Sequence, residues 1–384
     1  MTRIAEDWLT SRATQKVCAA LTDGGAQALF VGGCVRNALL GSPTSDIDIS
    51  TDAHPERVMK LARAARIKAV PTGIEHGTVT LVQDGEPFEI TTFRRDVKTD
   101  GRRAVVAFAD TIEEDAARRD FTMNAIYARP DGTVIDPLNG LPDLTERRVR
   151  FIGTAEHRIR EDFLRSLRFF RFHAWYGDPQ AGLDADALAA IAVNLDGLER
   201  LSRERVGAEF LKLLGAEDPA PSVAAMRMAG VLGVVLPGAD DRSLAPVVHL
   251  EHELTVPLDA LLRLASLADA DVAGTLRLSK VQLKAITALR EAATGTANAA
   301  ELGYRLGQKT AIKAMILRSA LLEVPIASAV RRDAEKGSQA VFPVSAKDLL
   351  PDFKGRELGD KLSLIESKWI ASGFSLTREQ LLAT

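Results

Sequence analysis

The spacing of apolar residues changes character at about residue 140. Before it, short apolar runs and period-two alternation dominate. "AQALFVGG" is apolar and ends on two glycines, "DIDIS" alternates, and "GTVTLVQDGEPFEITTF" predicts two strands joined by a turn at "QDGEP". Between these, "PERVMKLARAARI" carries helical spacing. The pattern predicts an α/β head with a mixed or antiparallel sheet. After "DPLNGLPDL" the strand signals nearly vanish, and from "EDFLRSLRFFRFHAWYG" onward apolar residues recur at three and four, broken at "DPQAG", "EDPAP" and "LPGAD". The expectation is a head over 1–140, an all-α neck over 141–240 and an all-α body and tail over 241–384.

Composition agrees with several domains. A chain of 384 residues is too long for one ordinary core. With 46% hydrophobic and 26% charged residues, and no apolar run near the roughly 18 to 20 residues of a membrane span, it reads as globular with no membrane partner. The opening "MTRIAEDWLT" carries acids where an export signal would be apolar. The two cysteines, Cys18 and Cys34, have neither metal nor redox spacing, which predicts a reducing, cytoplasmic setting and argues against zinc. Of the six histidines only His249 and His252 are close, and no cysteine or following aspartate accompanies them, so they read as ordinary histidines. The net charge of -3 carries no global nucleic-acid signature. Arginine is nevertheless concentrated in "FRRDVKTDGRR", "ARRDF" and "LRSLRFFRF". Two readings fit those runs, a local basic groove and solvated helix faces.

One stretch, "FVGGCVRNALLGSPTSDIDIS", gathers the candidate chemistry. Asp46 and Asp48 are two apart in the alternating segment, so on a strand they share a face with Cα atoms about 6 to 7 Å apart. Such a pair suits a hard divalent cation completed by water and substrate phosphates; it also occurs on plain polar strands. Gly32 and Gly33 stand between a strand and the helical run "VRNALLG", where bare backbone N–H groups can approach an anion and Arg36 can clamp phosphate. A tight strand-to-helix turn uses glycine in the same way. No G-x-G-x-x-G or G-K-[ST] pattern is present at this turn. Glu89, in "FEITTFRRD", is either a third ligand or base beside the aspartates or a structural salt-bridge partner.

Six motifs, "GGCVRNALLG", "DIDI", "ARRDFTMNAIY", "DPLNG", "EDFLRSLRFFRF" and "LSRERVGAEF", occur in this order. In order and spacing the chain resembles the class II CCA-adding tRNA nucleotidyltransferases, which group with bacterial poly(A) polymerases in the polymerase-β-like superfamily. The resemblance covers about residues 28 to 215, and more loosely "FPVSAKDLLPDFKGRELGDKL" in the tail, where Ala346 and Arg356 depart from the family pattern. It implies that Asp46 and Asp48 bind magnesium (Mg2+) and that Gly33 and Arg36, with Gly32 beside them, hold the triphosphate. It implies further that Arg119 binds the nucleotide, that Asn124 orders its sugar, and that Asp136 to Gly140 form a hinge.

The neck segment adds a physical argument. At 100° per residue Asp162, Arg165, Arg168 and Arg171 step by about -60° each along one side of a helix, apart from Phe163, Leu164, Leu167 and Phe170. Cytosine and adenine each present an amino donor beside a ring acceptor. A carboxylate with a guanidinium matches that edge and rejects uracil and guanine. The resemblance assigns this role to Asp162 with Arg165, in place of a template base. The bland reading of that pair is an i,i+3 salt bridge.

Three activities share these motifs. The segment "DVKTDGRRAVVAFADTIEED" after "TTFR" is long, which disfavours a CC-only enzyme, and the chain lacks the basic C-terminal extension common in poly(A) polymerases. The expected activity is therefore addition of C, C and A to tRNA from CTP and ATP with release of pyrophosphate. Poly(A) synthesis is the runner-up, followed by an inactive RNA-binding homologue.

Overall fold

The "QDGEP" turn shows how local sequence sets the head. Asp84 and Gly85 both adopt positive φ, +52° and +88°, as a two-residue hairpin turn requires. They join β4 (Thr78–Gln83) to β5 (Glu86–Thr92) in the register Val79↔Ile90 and Leu81↔Phe88. The computed structural model describes residues 2–44, 46–99, 104–350 and 352–383. It divides into two units, Met1–Val235 and Leu236–Thr384.

In the first unit a seven-stranded sheet has the order β3-β4-β5-β2-β1-β8-β9. Its remaining strands are β1 (Leu29–Val31), β2 (Asp48–Thr51), β3 (Lys68–Gly73), β8 (Tyr127–Ala128) and β9 (Val134–Ile135). Only β2 and β5 pair in parallel, so the sheet is mixed, as expected. A separate hairpin of β6 (Arg94–Thr99) and β7 (Ala104–Phe108) occupies the long segment after "TTFR". Residues 100–103 of that segment lie outside the described residues.

Strand periodicity divides the side chains between two faces. Phe30, Ile49, Val79, Leu81, Phe88 and Ile90 are buried on one, against the helices Arg12–Thr22 and Pro55–Ala64. Trp8 meets Phe30 edge-on at 5.0 Å. Register puts Asp48, Ser50 and Glu89 on the opposite face, the one where Leu29, Val31 and Tyr127 pack with Phe93 and Ile152. The polar site and an apolar core thus share one side of the sheet.

Among the described residues no strand follows Ile135. The "DPLNG" segment turns the chain into the neck. Asp136 accepts from the backbone N–H groups of Gly140 (2.7 Å) and Leu141 (2.8 Å). A Cβ on Gly140 would lie 2.4 Å from the Thr122 carbonyl oxygen, so only glycine fits there. Beyond it the helix Leu164–Tyr176 buries Leu164, Leu167, Phe169, Phe170 and Phe172. Phe121 of the head and Phe151, just beyond it, receive the helix, with ring centroids 4.8 Å apart for Phe121 and Phe172 and 5.6 Å for Phe151 and Phe169. The helices Arg203–Leu214 and Ala220–Met228 pack on its other sides.

Among the described residues of the second unit the regular elements are all helices, the longest being Lys280–Thr294, Gln308–Leu322 and Gly355–Ala371. Its interior holds a fully buried ion pair, Arg263 Nε to Glu251 Oε2 at 2.7 Å. The helices Ala299–Leu306 and Val330–Gln339 touch backbone to backbone: a Cβ on Gly337 would stand 1.8 Å from the Ala300 carbonyl oxygen, and one on Gly303 2.2 Å from that of Ala334. Trp369 packs edge-on to Tyr304 and Phe374 at 5.4 and 4.9 Å, closing a small aromatic core of its own. Among the described residues no helix is long and apolar enough to cross a membrane.

Candidate active site

A cleft of about 660 Å³ opens within the first unit, between the polar face of the sheet and the neck. Of the candidate catalytic, metal-binding and nucleotide-binding residues, all but Glu89 line it: Gly32, Gly33, Arg36, Asp46, Asp48, Arg119 and Asn124 from the head, and Asp162, Arg165, Arg168 and Arg171 from the neck. Glu89 is exposed and is the register partner of Asp48 across the parallel pair, so it stands beside the aspartates without lining the cleft.

The glycine turn comes first. Gly32 adopts φ +73° and ψ -125°, a conformation that costs other residues strain, and its carbonyl accepts from Arg36 N to start the helix Gly33–Leu40. A Cβ on Gly32 would lie 3.7 Å from Arg119 Nη1, and one on Gly33 3.8 Å from Arg36 Nη2. The bare backbone therefore lies next to two guanidinium groups.

Asp48 opens β2, whereas Asp46 precedes it, so the alternating segment is strand only in its second half. The Asp48 carboxyl is pushed up to about 6, chiefly by burial, then by the neighbouring Glu89 and Asp46 carboxylates, with Arg119 opposing. Crowded carboxylates of this kind favour a cation among them. Among the described residues no group of three or more histidine, cysteine, aspartate or glutamate side chains is placed to hold a metal ion. Two carboxylates opening on a polar cleft instead fit magnesium, which keeps waters and takes substrate phosphates as its other ligands.

Arg119 bonds Asp115 (3.0 Å), the Tyr127 hydroxyl (3.2 Å) and Ser50 Oγ (3.3 Å). Burial works against its charge, but Tyr127 and Asp115 outweigh burial and hold its pKa above the ordinary arginine value. Arg36 is 6% exposed. It donates to Asn124 Oδ1 (2.6 Å), Asn37 Oδ1 (2.9 and 3.2 Å) and the Tyr176 hydroxyl (2.7 Å), and the Tyr176 ring centroid is 3.9 Å from its guanidinium carbon. Burial lowers its pKa, partly offset by Tyr176. Asn124 is oriented from both sides, since its Nδ2 also donates to Asp120 Oδ1 at 2.9 Å.

On the neck the structure corrects the helical-wheel picture. Asp162 is not on the arginine helix; it lies in extended conformation, φ -152° and ψ 107°, between the helices Ala155–Glu161 and Leu164–Tyr176. Its Oδ1 accepts from Leu164 N at 3.1 Å, near the start of the second helix, and its Oδ2 accepts from Arg205 at 2.7 Å. The i,i+3 pair with Arg165 does not form. Arg165 turns back to Glu161 and to the Arg158 carbonyl (3.1 Å). Arg168 pairs with Asp120 through Nε at 2.8 Å, and Arg171 with Glu209 at 2.6 Å. Four side chains that sequence spacing did not single out thus position the site: Asp120, Tyr176, Arg205 and Glu209. Asp120 and Arg205 belong to the quoted motifs "ARRDF" and "LSRERVGAEF", yet their acceptors and donors are 43 to 48 residues away in the chain.

Comparison with known proteins finds relatives of the fold and of parts of the chain. Residues 28–150 match the poly A polymerase head domain, and residues 182–242 the segment described as the probable RNA and SrmB-binding site of polymerase A. The human protein named CCA tRNA nucleotidyltransferase 1, mitochondrial, is 44% identical over 186 residues, 48% of this chain and 43% of that one. A CCA-adding enzyme of Streptococcus pyogenes is 43% identical over 208 residues, 54% of this chain and 50% of that one. The chain thus spans about half the length of the curated relatives it matches. The crystal structure of the Bacillus stearothermophilus CCA-adding enzyme in complex with CTP is similar with a TM-score of 0.72 and 28% identity, over 97% of each chain. With six motifs in order and one cleft that gathers their side chains, the chain carries a segment, residues 28–150, that matches the poly A polymerase head domain, and over about half its length it is similar to CCA-adding enzymes.

Proposed function

We propose that this protein adds C, C and A to the 3′ end of tRNA, using CTP and ATP and releasing pyrophosphate. The observation that carries the reading is the single cleft in which a carboxylate pair and a glycine-arginine cradle face a neck carrying Asp162 and three arginines. In the reaction the tRNA 3′-hydroxyl attacks the α-phosphorus in line, an O–P bond forms, the bond to pyrophosphate breaks and the hydroxyl proton leaves. No covalent bond to the protein forms.

Each side chain then has a defined task. The Gly32 and Gly33 backbone, Arg36 and Arg119 bind and orient the triphosphate. Asn124, oriented by Asp120 and Arg36, orders the sugar. Asp46 and Asp48 would hold magnesium, which when bound supplies Lewis acidity toward the attacking and leaving oxygens. Asp162 keeps free lone pairs, because a carboxylate accepts about four hydrogen bonds and Leu164 N and Arg205 use two. Those lone pairs accept the amino group of C or A, and a neighbouring arginine donates to the ring nitrogen. Contacts with tRNA would run through phosphates and acceptor-arm shape, using lysines and arginines of the helical second unit. A reducing, cytoplasmic setting is consistent with two buried thiols, Cys18 and Cys34.

The test offers three tRNA transcripts, ending before CCA, after C and after CC, with CTP and ATP separately and together. The expected result is extension of all three to one fixed length. Extension that ignores CTP and continues with ATP would instead establish poly(A) synthesis, the reading that the head-domain match also admits. Binding of tRNA with no extension would leave an inactive RNA-binding homologue.

A further inference from the structure

Donor counting at Arg36 points to a ligand that no motif includes. A guanidinium has five N–H groups. Four of those on Arg36 already have protein acceptors: Nε and one on Nη2 at Asn37 Oδ1, one on Nη1 at Asn124 Oδ1, and the second on Nη2 at the Tyr176 hydroxyl. One N–H on Nη1 remains. As seated here, Arg36 cannot clamp a phosphate bidentately without giving up one of these bonds.

Tyr176 is placed to make up the difference. It ends the neck helix, is half-buried, and lines the same cleft as Gly32, Gly33 and Asp48. Its oxygen accepts from Arg36 at 2.7 Å, so its own proton is available to a further acceptor. A hydroxyl that accepts from a cation becomes a stronger donor, because hydrogen bonds in a chain polarise one another. Its ring, 3.9 Å from the guanidinium carbon, holds Arg36 in position, and Phe172 flanks the same group at 5.2 Å.

We propose that the Tyr176 hydroxyl is a direct phosphate ligand, donating to the terminal phosphates of the incoming nucleoside triphosphate while Arg36 polarises it. The inference rests on the nucleotide-binding reading above. It ties the triphosphate to the neck helix that carries the base-reading arginines, so an unseated triphosphate and an unseated helix register as one defect.

The test measures binding of CTP, ATP and CMP to the full-length protein without RNA, and steady-state addition to tRNA, for wild type, Tyr176→Phe and Tyr176→Ala. Tyr176→Phe keeps the ring over Arg36 and removes only the hydroxyl. The expected result is roughly tenfold weaker binding of CTP and ATP alike, as for loss of a hydrogen bond to a charged group, with CMP affinity unchanged. In turnover the KM for CTP rises and kcat stays within about twofold. Tyr176→Ala, which also unseats Arg36, loses more. Unchanged CTP affinity in Tyr176→Phe overturns the proposal and leaves Tyr176 as packing. Equal losses for CTP and CMP also overturn it, since the contact would then not be to the terminal phosphates. Failure of the wild type to bind CTP at all overturns the nucleotide-binding reading itself.

Discussion

Asp48 and Asp162 show how much a single residue's surroundings matter. Asp48 is held near the point of protonation by burial and by Glu89, and a cation in the cleft would relieve that crowding. Asp46→Ala and Asp48→Ala are each expected to abolish nucleotide addition while tRNA affinity, measured by filter binding, stays within about twofold; retained addition by both would remove them from the chemistry. Asp162 is held by Arg205 and by Leu164 N rather than by Arg165. Arg205→Ala should therefore lower the preference for CTP over UTP by roughly tenfold, the scale of one misdirected base contact, with total addition less affected. Asp115 and Asp120 set the acid limit. Burial opposes ionising both, yet Arg119 and Arg118 beside Asp115, and Arg168 beside Asp120, hold each carboxyl at about 2, below the ordinary value of 3.8. Their contribution is present above about pH 4 and is lost as pH falls toward 2. Unfolding followed by circular dichroism should thus show a sharp loss of stability in that window, weaker in Asp115→Asn. Sequence reading found Asp46, Asp48 and Asp162 through motifs. It did not single out Asp120, Tyr176, Arg205 or Glu209, because their importance lies in partners distant along the chain.

Elements were legible where local and tertiary preferences agree. The Asp84–Gly85 turn, the helix Pro55–Ala64 and the apolar stripe of the neck helix all follow from spacing and turn chemistry. The limits of elements were less legible. Asp162 carries the angular spacing of the arginine helix, yet the helix begins only after it, since its carboxylate bonds Leu164 N and so replaces the helical bond. Close helix contact is another feature that spacing hides. Gly337→Ala would drive a Cβ into the Ala300 carbonyl, so the helices Ala299–Leu306 and Val330–Gln339 must separate. The cost is about 1 to 3 kcal/mol or more, and thermal melting of the second unit is expected to fall by roughly 5 °C. No change in melting would mean that the two helices have room to yield.

At the scale of the molecule, every residue lining the cleft belongs to the unit Met1–Val235. Gly337→Ala should therefore leave CTP affinity within about twofold of wild type even where it lowers melting, as titration calorimetry on the folded protein can establish. A large loss of affinity would show that the nucleotide site depends on the second unit. The sequence by itself determined the elements, the mixed α/β head followed by helices, and the chemical types in the site, because period, turn residues and short motifs are local properties. Only the tertiary structure decided which groups share one cleft, that Arg36 is almost fully engaged, and that Asp162 answers to Arg205. The physical reason is that burial and hydrogen-bond partners are set by contacts across 40 to 140 residues of chain, as between Asp162 and Arg205 or Arg36 and Tyr176, and no local pattern encodes those distances.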